Sequence, residues 1–180
     1  MSEQNINSKV LITKVKLNND DTAHIEFKKS DNLGAGSTSW DGEEKVTEEF
    51  KNAFLGCKEG FLGCIPPLES KKDNITMNSI KFGYAKNSDK LDNALYSIKY
   101  NFNPANNAVV NINTPQLPIY KESFDEKTFC ISGKHETALY EVIDLAVKYL
   151  NGETRTEQKK CIKKDADGNI IVDFSGKKGE

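Results

Sequence analysis

The stretch that decides the fold is residues 80–102, IKFGYAKNSDKLDNALYSIKYNF. Apolar and polar side chains alternate in it on both sides of a turn at residues 87–90, which is typical of two β-strands with one buried face. Its apolar positions are Ile80, Phe82, Tyr84, Ala94, Tyr96, Ile98, Tyr100 and Phe102. Residues 103–107 turn the chain into a short third strand at 108–113, which Pro115 must end or leave at a sheet edge. Together these segments predict an antiparallel meander.

A second alternating segment lies N-terminal to the meander. Residues 9–28 alternate apolar and polar side chains around the turn-forming residues 18–21, which predicts a β-hairpin with one apolar face. Residues 30–39 are small, polar and glycine-bearing, so they predict a loop that a short edge strand can connect to Trp40. Another element of the chain must then pack on the apolar face of the hairpin.

A helix is predicted at residues 42–55, and it is the first element expected to pack on the apolar face of the hairpin. Apolar residues recur in it at helical spacing, and Asp41 with Glu44 fits the capping-box pattern at its start. Two glycines, Gly56 and Gly60, are predicted to end it.

A longer amphipathic helix is predicted from Ser132 to residue 150. It is closed by Asn151-Gly152, because glycine accepts the left-handed conformation of a C-cap. The element order is then ββ-α-βββ-α, with strands in consecutive runs. This order predicts an α+β fold with a mainly antiparallel sheet and two helices packed on it.

The two ends of the chain differ from the predicted domain, which spans residues 9–152. Residues 1–8 are polar, and residues 153–180 form a charged tail. Neither end can bury enough apolar surface to offset a chain entropy of roughly 1–2 kcal/mol per residue, so we expect a disordered N-terminus and a flexible tail. Residues 169–174 are the apolar cluster of the tail and predict a short docking strand.

Composition and the distribution of apolar residues indicate the cellular compartment and the class of partner. No basic segment followed by an apolar one occurs at the N-terminus, and no run approaches the ~18 apolar residues that cross a bilayer. We therefore expect a cytoplasmic protein without a membrane partner, whose four cysteines are reduced thiols. The formal net charge is −2, with 25 basic and 27 acidic residues mixed along the chain, which disfavours a dedicated DNA-coating protein.

Motifs for catalysis and metal binding do not assemble in this sequence. The thiols of the two Phe-Leu-Gly-Cys copies, at residues 54–57 and 61–64, are too far apart for a zinc knuckle and predict apolar packing around a turn. His24 and His135 lie outside any nucleophile motif, and an enzyme would need a pair such as Cys130 and His135. We predict no catalytic residue, no metal site and no cofactor.

Two segments are candidates for binding. Gly34 and Gly36 lie in a loop that ends at Trp40, and this loop can close on a ligand or a partner although it lacks the frame of a phosphate-binding loop. Alternatively, lysines of the tail can bind nucleic acid together with exposed aromatic residues. These lysines are Lys159, Lys160, Lys163 and Lys164. The aromatic residues of the meander predict core packing instead, unless the sheet face that carries them is open.

Short motifs occur within and between the predicted elements. They are Glu49-Phe50, Ile80-Lys81-Phe82-Gly83-Tyr84, Ile112-Asn113-Thr114-Pro115 and Tyr149-Leu150-Asn151-Gly152-Glu153-Thr154-Arg155. Together with the N-terminal hairpin they resemble a family of small proteins encoded by bacteriophages and prophages of Gram-positive bacteria. The resemblance covers most of residues 9–158, and the tail after Gln158 departs from it. It implies a phage context, with the cytoplasm of a host cell as the location, and no particular chemistry.

These observations predict a non-catalytic accessory protein of phage type that acts by binding. Its partner is predicted to be a host protein that it inhibits, such as a defence protein, or a small nucleotide-like ligand that it sequesters. The first alternative is a single-stranded nucleic-acid-binding factor in phage replication or recombination. An unrecognised enzyme is the other alternative, and each of these functions is compatible with a homo-oligomer.

Overall fold

The computed structural model describes residues 10–29, 38–86, 88–124, 130–153, 161–164 and 170–173. Its strands are β1 (Val10–Leu17), β2 (Ala23–Lys29), β3 (Thr38–Asp41), β4 (Ile75–Tyr84), β5 (Leu91–Asn103), β6 (Ala108–Asn113), β7 (Leu117–Pro118), β8 (Cys161–Lys164) and β9 (Ile170–Asp173). Its α-helices are α1 (Glu48–Gly56), α2 (Lys58–Cys64) and α3 (Lys134–Leu150), and two 3-10 helices span Pro66–Asn74 and Pro104–Asn106.

The main sheet is antiparallel. Its strands follow the order β3-β2-β1-β4-β5-β6, and the short β7 also pairs with β5. This confirms the predicted α+β class, the N-terminal hairpin and the meander. In the tail, β9 overlaps the strand predicted at residues 169–174, and it pairs with β8 in a separate two-stranded sheet.

One face of the main sheet carries the core. A row of paired residues crosses five strands on this face: Trp40, Ile25, Val15, Ile80 and Tyr96. The exposed fraction of the four inner residues is at most 1%, and Trp40 is half-buried. Helix α1 packs against α3 and β4, and α3 packs against β1. The helices therefore cover the face whose alternation the sequence marks as apolar.

Helix α1 begins at Glu48 and not directly after Asp41. Its N-cap is Thr47, whose side-chain oxygen accepts a hydrogen bond from the Phe50 N–H at 3.4 Å. The predicted cap at Asp41 is wrong because this residue ends β3, where it pairs with His24. Asp41 is therefore a strand residue, although the local sequence pattern predicted it as a helix cap.

The repeated Phe-Leu-Gly-Cys segments form the ends of two consecutive helices. After α1 the chain passes through Cys57 into α2, so Gly60 lies inside a helix and the prediction that it ends the helical region is wrong. Phe54 and Phe61 are both 0% exposed and belong to the core. This confirms that the repeat serves apolar packing.

Helix α3 follows the prediction at its end and departs from it at its start. It begins after Gly133, whose φ is 55°, and the carbonyl of Ser132 accepts the His135 N–H, so Ser132 is not the cap residue. At the other end Gly152 has a φ of 86°, and its N–H donates to the Tyr149 carbonyl. This confirms the predicted glycine stop. No helix in the described ranges is long and apolar enough to cross a membrane.

The far end of the β5–β6 hairpin is exposed on both strands. Phe102 was expected in the core, but it is 55% exposed, and a register shift between Asn101 and Asn103 lies at this position. On β6, Val109 is 49% and Val110 is 42% exposed. The aromatic stripe of β5 is therefore core at Tyr96 and surface at its end.

The close contact between Gly60 and Tyr96 allows the packing of α2 on the sheet to be tested directly. An added Cβ at Gly60 would lie 2.8 Å from the Tyr96 hydroxyl oxygen, whereas one at Gly63 of the same helix would meet nothing within 4 Å. We expect Gly60→Ala to lower the free energy of unfolding by about 1–2 kcal/mol through overpacking. Gly63→Ala should raise it by roughly 0.5 kcal/mol through helix propensity. Urea denaturation measures both, and equal effects of the two substitutions would contradict the packing described.

Candidate functional site

The sheet face opposite the helices, here called the open face, carries polar side chains. Strand register fixes its rows, because directly paired residues project to the same side of a sheet. One row consists of Ser39, Glu26, Lys14, Lys81 and Leu95. The next row consists of Asp41, His24, Lys16, Ser79, Ser97 and Asn113. Neither row contains a Phe, Tyr or Trp residue, and His24 is the one aromatic ring in them.

Lysines run diagonally across the open face. Lys14 of β1 is paired with Lys81 of β4. Lys16 lies two residues further along β1, in the row that reaches Ser97 of β5. Lys99 lies two residues beyond Ser97 in the same direction, because β1 and β5 both run antiparallel to β4. Apart from the directly paired Lys14 and Lys81, the lysines are thus displaced along the strands from β1 toward β5.

The diagonal continues in the other direction to β2. Glu26 is paired with Lys14, and Lys28 lies two residues beyond Glu26 on the open face. The lysine diagonal is defined as Lys28, Lys14, Lys81, Lys16 and Lys99. It crosses three inter-strand spacings of about 4.8 Å and six residues of about 3.4 Å each, so its ends lie roughly 25 Å apart.

The carboxylates of the open face are already paired. Lys14 Nζ lies 2.7 Å from Glu26 Oε1, and this hydrogen bond is the main cause that holds the pKa of Glu26 below its usual range. His24 Nδ1 lies 2.6 Å from Asp41 Oδ1. In contrast, no carboxylate of the described residues lies within 4 Å of the other four lysines. These four are Lys16, Lys28, Lys81 and Lys99. The open face therefore has an excess of positive charge within a nearly neutral chain.

A recess of about 320 Å³ lies on the open face beside Gly83. The position of Asn93 at the recess requires a glycine at residue 83, because an added Cβ would come within 2.7 Å of Asn93 Cγ on the neighbouring strand. Thr13 lines another side, at the point where β1 shifts register between Ile12 and Lys14. Two buried oxygens in these walls, Thr13 Oγ1 and Asn93 Oδ1, have no hydrogen-bond partner among the described residues. Lys28, Lys81 and Gln116 also line the recess.

A larger groove of about 550 Å³ lies on the helical side, between α1, α2 and the start of α3. Its lining includes Glu49, Glu59, Glu141, Lys134 and His135. Partial burial, and then the charge of Lys134, lower the pKa of His135, although Glu59 acts in the opposite direction. The imidazole is therefore neutral at physiological pH and can act as a hydrogen-bond acceptor.

The nearby thiol of Cys57 is not arranged as a nucleophile. Cys57 is 2% exposed and is not part of the groove lining. Its Sγ donates to the carbonyls of Ala53 and Ala138, at 3.6 and 3.8 Å. Burial, with a smaller contribution from Glu141, raises the pKa of the thiol to about 12. The groove thus brings His135 together with carboxylates and an amine, and leaves Cys57 in the core as a small apolar side chain.

None of the residues predicted as binding sites from sequence is among the described residues of the open face, the recess or the groove. Trp40 is on the covered face, where its ring packs edge-to-face on Tyr149 at 5.3 Å. Gly34 and Gly36 lie outside the described residues. Of the tail lysines, Lys163 and Lys164 are in β8, and Lys159 and Lys160 also fall outside the described ranges. A binding role for these residues stays a prediction.

Sequence reasoning missed the lysine diagonal, although its signal was present. Each lysine occupies a polar position of an alternating strand, such as Lys81 between Ile80 and Phe82. Their alignment depends on pairings between distant parts of the chain, such as Lys14 with Lys81. The polar half of the alternation could have indicated a basic face only after the strand order was known.

Comparisons with other proteins do not identify this chain. No protein-family model matches it, and no curated protein or solved structure does. The chemistry of the open face, the recess and the groove is therefore the basis for a functional argument.

The burial of Cys57 has a measurable consequence. A pKa of about 12 instead of the ordinary 9.0 reduces the thiolate fraction at pH 8 by about a thousandfold. We expect iodoacetamide to alkylate Cys57 far more slowly in the folded protein than in urea, and Cys64, with a pKa raised to about 11, to be slowed less. Peptide mass spectrometry of timed samples measures each rate. Alkylation of Cys57 at the rate of the unfolded chain would show instead an accessible, reactive thiol.

Proposed function

We propose that this protein is a non-catalytic binding protein whose ligand carries the phosphate groups of a nucleotide or of single-stranded nucleic acid. The observation that supports the proposal is the lysine diagonal on a sheet face that none of the described helices covers. Four of its five ammonium groups have no carboxylate partner in the described part of the chain. Lysine acts as a point charge for phosphate, so such a row suits a phosphodiester backbone.

The dimensions of the open face fit a short single strand. A length of roughly 25 Å is comparable with the sites of small single-strand-binding domains, which take about 4–16 nucleotides. The two rows described above contain no Phe, Tyr or Trp residue, and the imidazole of His24 is bonded to Asp41, so the rows do not form an aromatic platform on which successive bases stack. Contact through the backbone predicts weak sequence preference and a strong dependence on salt.

The proposal agrees with the near-neutral charge of the whole chain. A net charge of −2 gives no global attraction for a polyanion, so binding requires lysines concentrated on one surface. The phage context implied by the sequence resemblance would make the protein an accessory factor of replication or recombination, or one that sequesters nucleotides in the host cytoplasm. Both roles use the same phosphate chemistry.

The experiment is fluorescence anisotropy with a labelled single-stranded octamer, with competition by a mononucleotide, at several salt concentrations. Reversing the charges of the exposed Lys81 and the half-buried Lys99 should weaken octamer binding at least tenfold at low salt. The slope of log K against log salt should fall by about 1.4, since each phosphate contact in a single strand contributes about 0.7. The control is Lys148→Glu, which reverses one charge, half the change of the double variant, on an exposed position of α3.

The outcomes separate the two sources of phosphate. Competition by a mononucleotide at concentrations near those of the octamer would assign the ligand as a nucleotide, whereas competition by the octamer alone assigns a single strand. If the protein binds neither the octamer nor the nucleotide, the proposal fails. It also fails if Lys148→Glu weakens octamer binding as much as the double variant does.

A second candidate function is supported by the exposed end of the β5–β6 hairpin. Phe102, Val109 and Val110 are all more than 40% exposed there, and β6 is an edge strand of the sheet. Exposed apolar side chains beside an unpaired strand edge are typical of a protein-binding surface. This surface fits the predicted inhibition of a host protein.

The host-protein candidate has a test of its own. A host protein captured through this edge should be lost with Val110→Asp, because the substitution places a charge in an apolar contact. Lys81→Glu should leave capture unchanged. Affinity capture from a host lysate with quantitative mass spectrometry compares the three proteins, and equal capture by all of them would eliminate this surface.

A further inference from the structure

The recess beside Gly83 differs in chemistry from the rest of the open face. Four lysines of the diagonal have no carboxylate partner among the described residues, and of these only Lys28 and Lys81 line the recess. Its other polar walls are the neutral side chains of Thr13, Asn93 and Gln116 and the carboxylate of Glu26, which is bonded to Lys14. A group that enters the recess therefore meets neutral hydrogen-bonding side chains, two ammonium groups and one carboxylate that already has a lysine partner.

The side-chain amide of Asn93 is bonded to the preceding residue. Asn93 Nδ2 donates to Asp92 Oδ2 at 3.3 Å, and Asp92 is in turn held by Lys121 Nζ at 2.6 Å. The amide oxygen must therefore point away from Asp92, over Gly83. There it is buried without a partner among the described residues, which is unfavourable for a carbonyl oxygen.

Thr13 presents a second buried group in the same wall. Its hydroxyl oxygen also has no described partner, and Thr13 lies at the register shift of β1 against β2. A threonine hydroxyl both donates and accepts, and an amide oxygen accepts. The two groups are complementary to a ligand edge that offers N–H donors. The side-chain amide torsion of asparagine is broad, so a small rotation turns Oδ1 from Gly83 into the recess.

We infer that the recess takes a nucleobase, whose N–H groups bond to Asn93 Oδ1 and Thr13 Oγ1 while Lys28 and Lys81 hold the adjacent phosphates. This inference rests on the proposed function and adds a base-reading position to it. A volume of about 320 Å³ lies at the lower end of the range for small-molecule sites, roughly 300–1,000 Å³. One base with its sugar fits such a volume.

The test compares a mixed-sequence octamer with an octamer of the same length made of abasic residues. The two have the same phosphates, so both should bind the lysine diagonal. We expect the wild-type protein to bind the base-bearing octamer about tenfold more tightly. Asn93→Ala and Thr13→Val should each reduce that ratio to threefold or less, with abasic binding unchanged within twofold. Asn111→Ala is the matched control, since Asn111 is exposed on the open face but outside the recess.

Measuring the stability of each variant shows whether a loss of base discrimination is caused by unfolding. Thr13→Val preserves shape and removes a buried hydroxyl without a described partner, so the urea midpoint should stay the same or rise even as base discrimination is lost. Equal binding of both octamers by the wild-type protein would overturn the inference and leave the proposed function standing. An undiminished ratio in both recess variants would also overturn it. Failure of both octamers to bind would overturn the proposed function together with this inference.

Discussion

The two-residue period of the strands is the constraint on which this structure depends. Because alternate side chains point to opposite sides of a sheet, one set of residues forms a core row from Ile25 to Tyr96 and the other set forms an exposed polar row from Glu26 to Lys81. The helices bury the first set, and this burial fixes the strand register. The same register then aligns the lysines. Core packing and the surface charge pattern thus have one physical origin.

The helical layer contributes stability more than chemistry. Tyr149 of α3 donates a hydrogen bond to the Glu44 carbonyl and packs edge-to-face on both Trp40 and Phe50. Cys57 is a core residue whose thiol bonds to backbone carbonyls. The groove beside His135 remains a feature of this layer, with three carboxylates in its lining and no thiol. Binding through the opposite surface, as proposed, would leave this packing undisturbed.

Alternation in the sequence was sufficient to predict the N-terminal hairpin and the antiparallel meander, and C-cap chemistry predicted the glycine stop at Gly152. The start of β4 at Ile75 and the short strands β7 and β8 were not predicted. Local patterns failed where tertiary pairing competed with them. Asp41 fits a helix cap, yet its pairing with His24 draws it into β3. Gly60 resembles a helix stop, yet it is the residue that lets α2 approach Tyr96. The lysine diagonal was beyond local reasoning, because it exists only when strands distant in sequence are in register.

The central claim is that phosphate-bearing ligands bind the open face of the sheet. The most direct measurement is a titration of the isotope-labelled protein with a single-stranded octamer, followed by amide chemical-shift changes in two-dimensional NMR spectra. The account predicts changes concentrated in β1, β4 and β5 around Lys16, Lys81 and Lys99, with α3 unaffected. Changes concentrated in the groove beside His135, or at Val110 on the hairpin end, would contradict it.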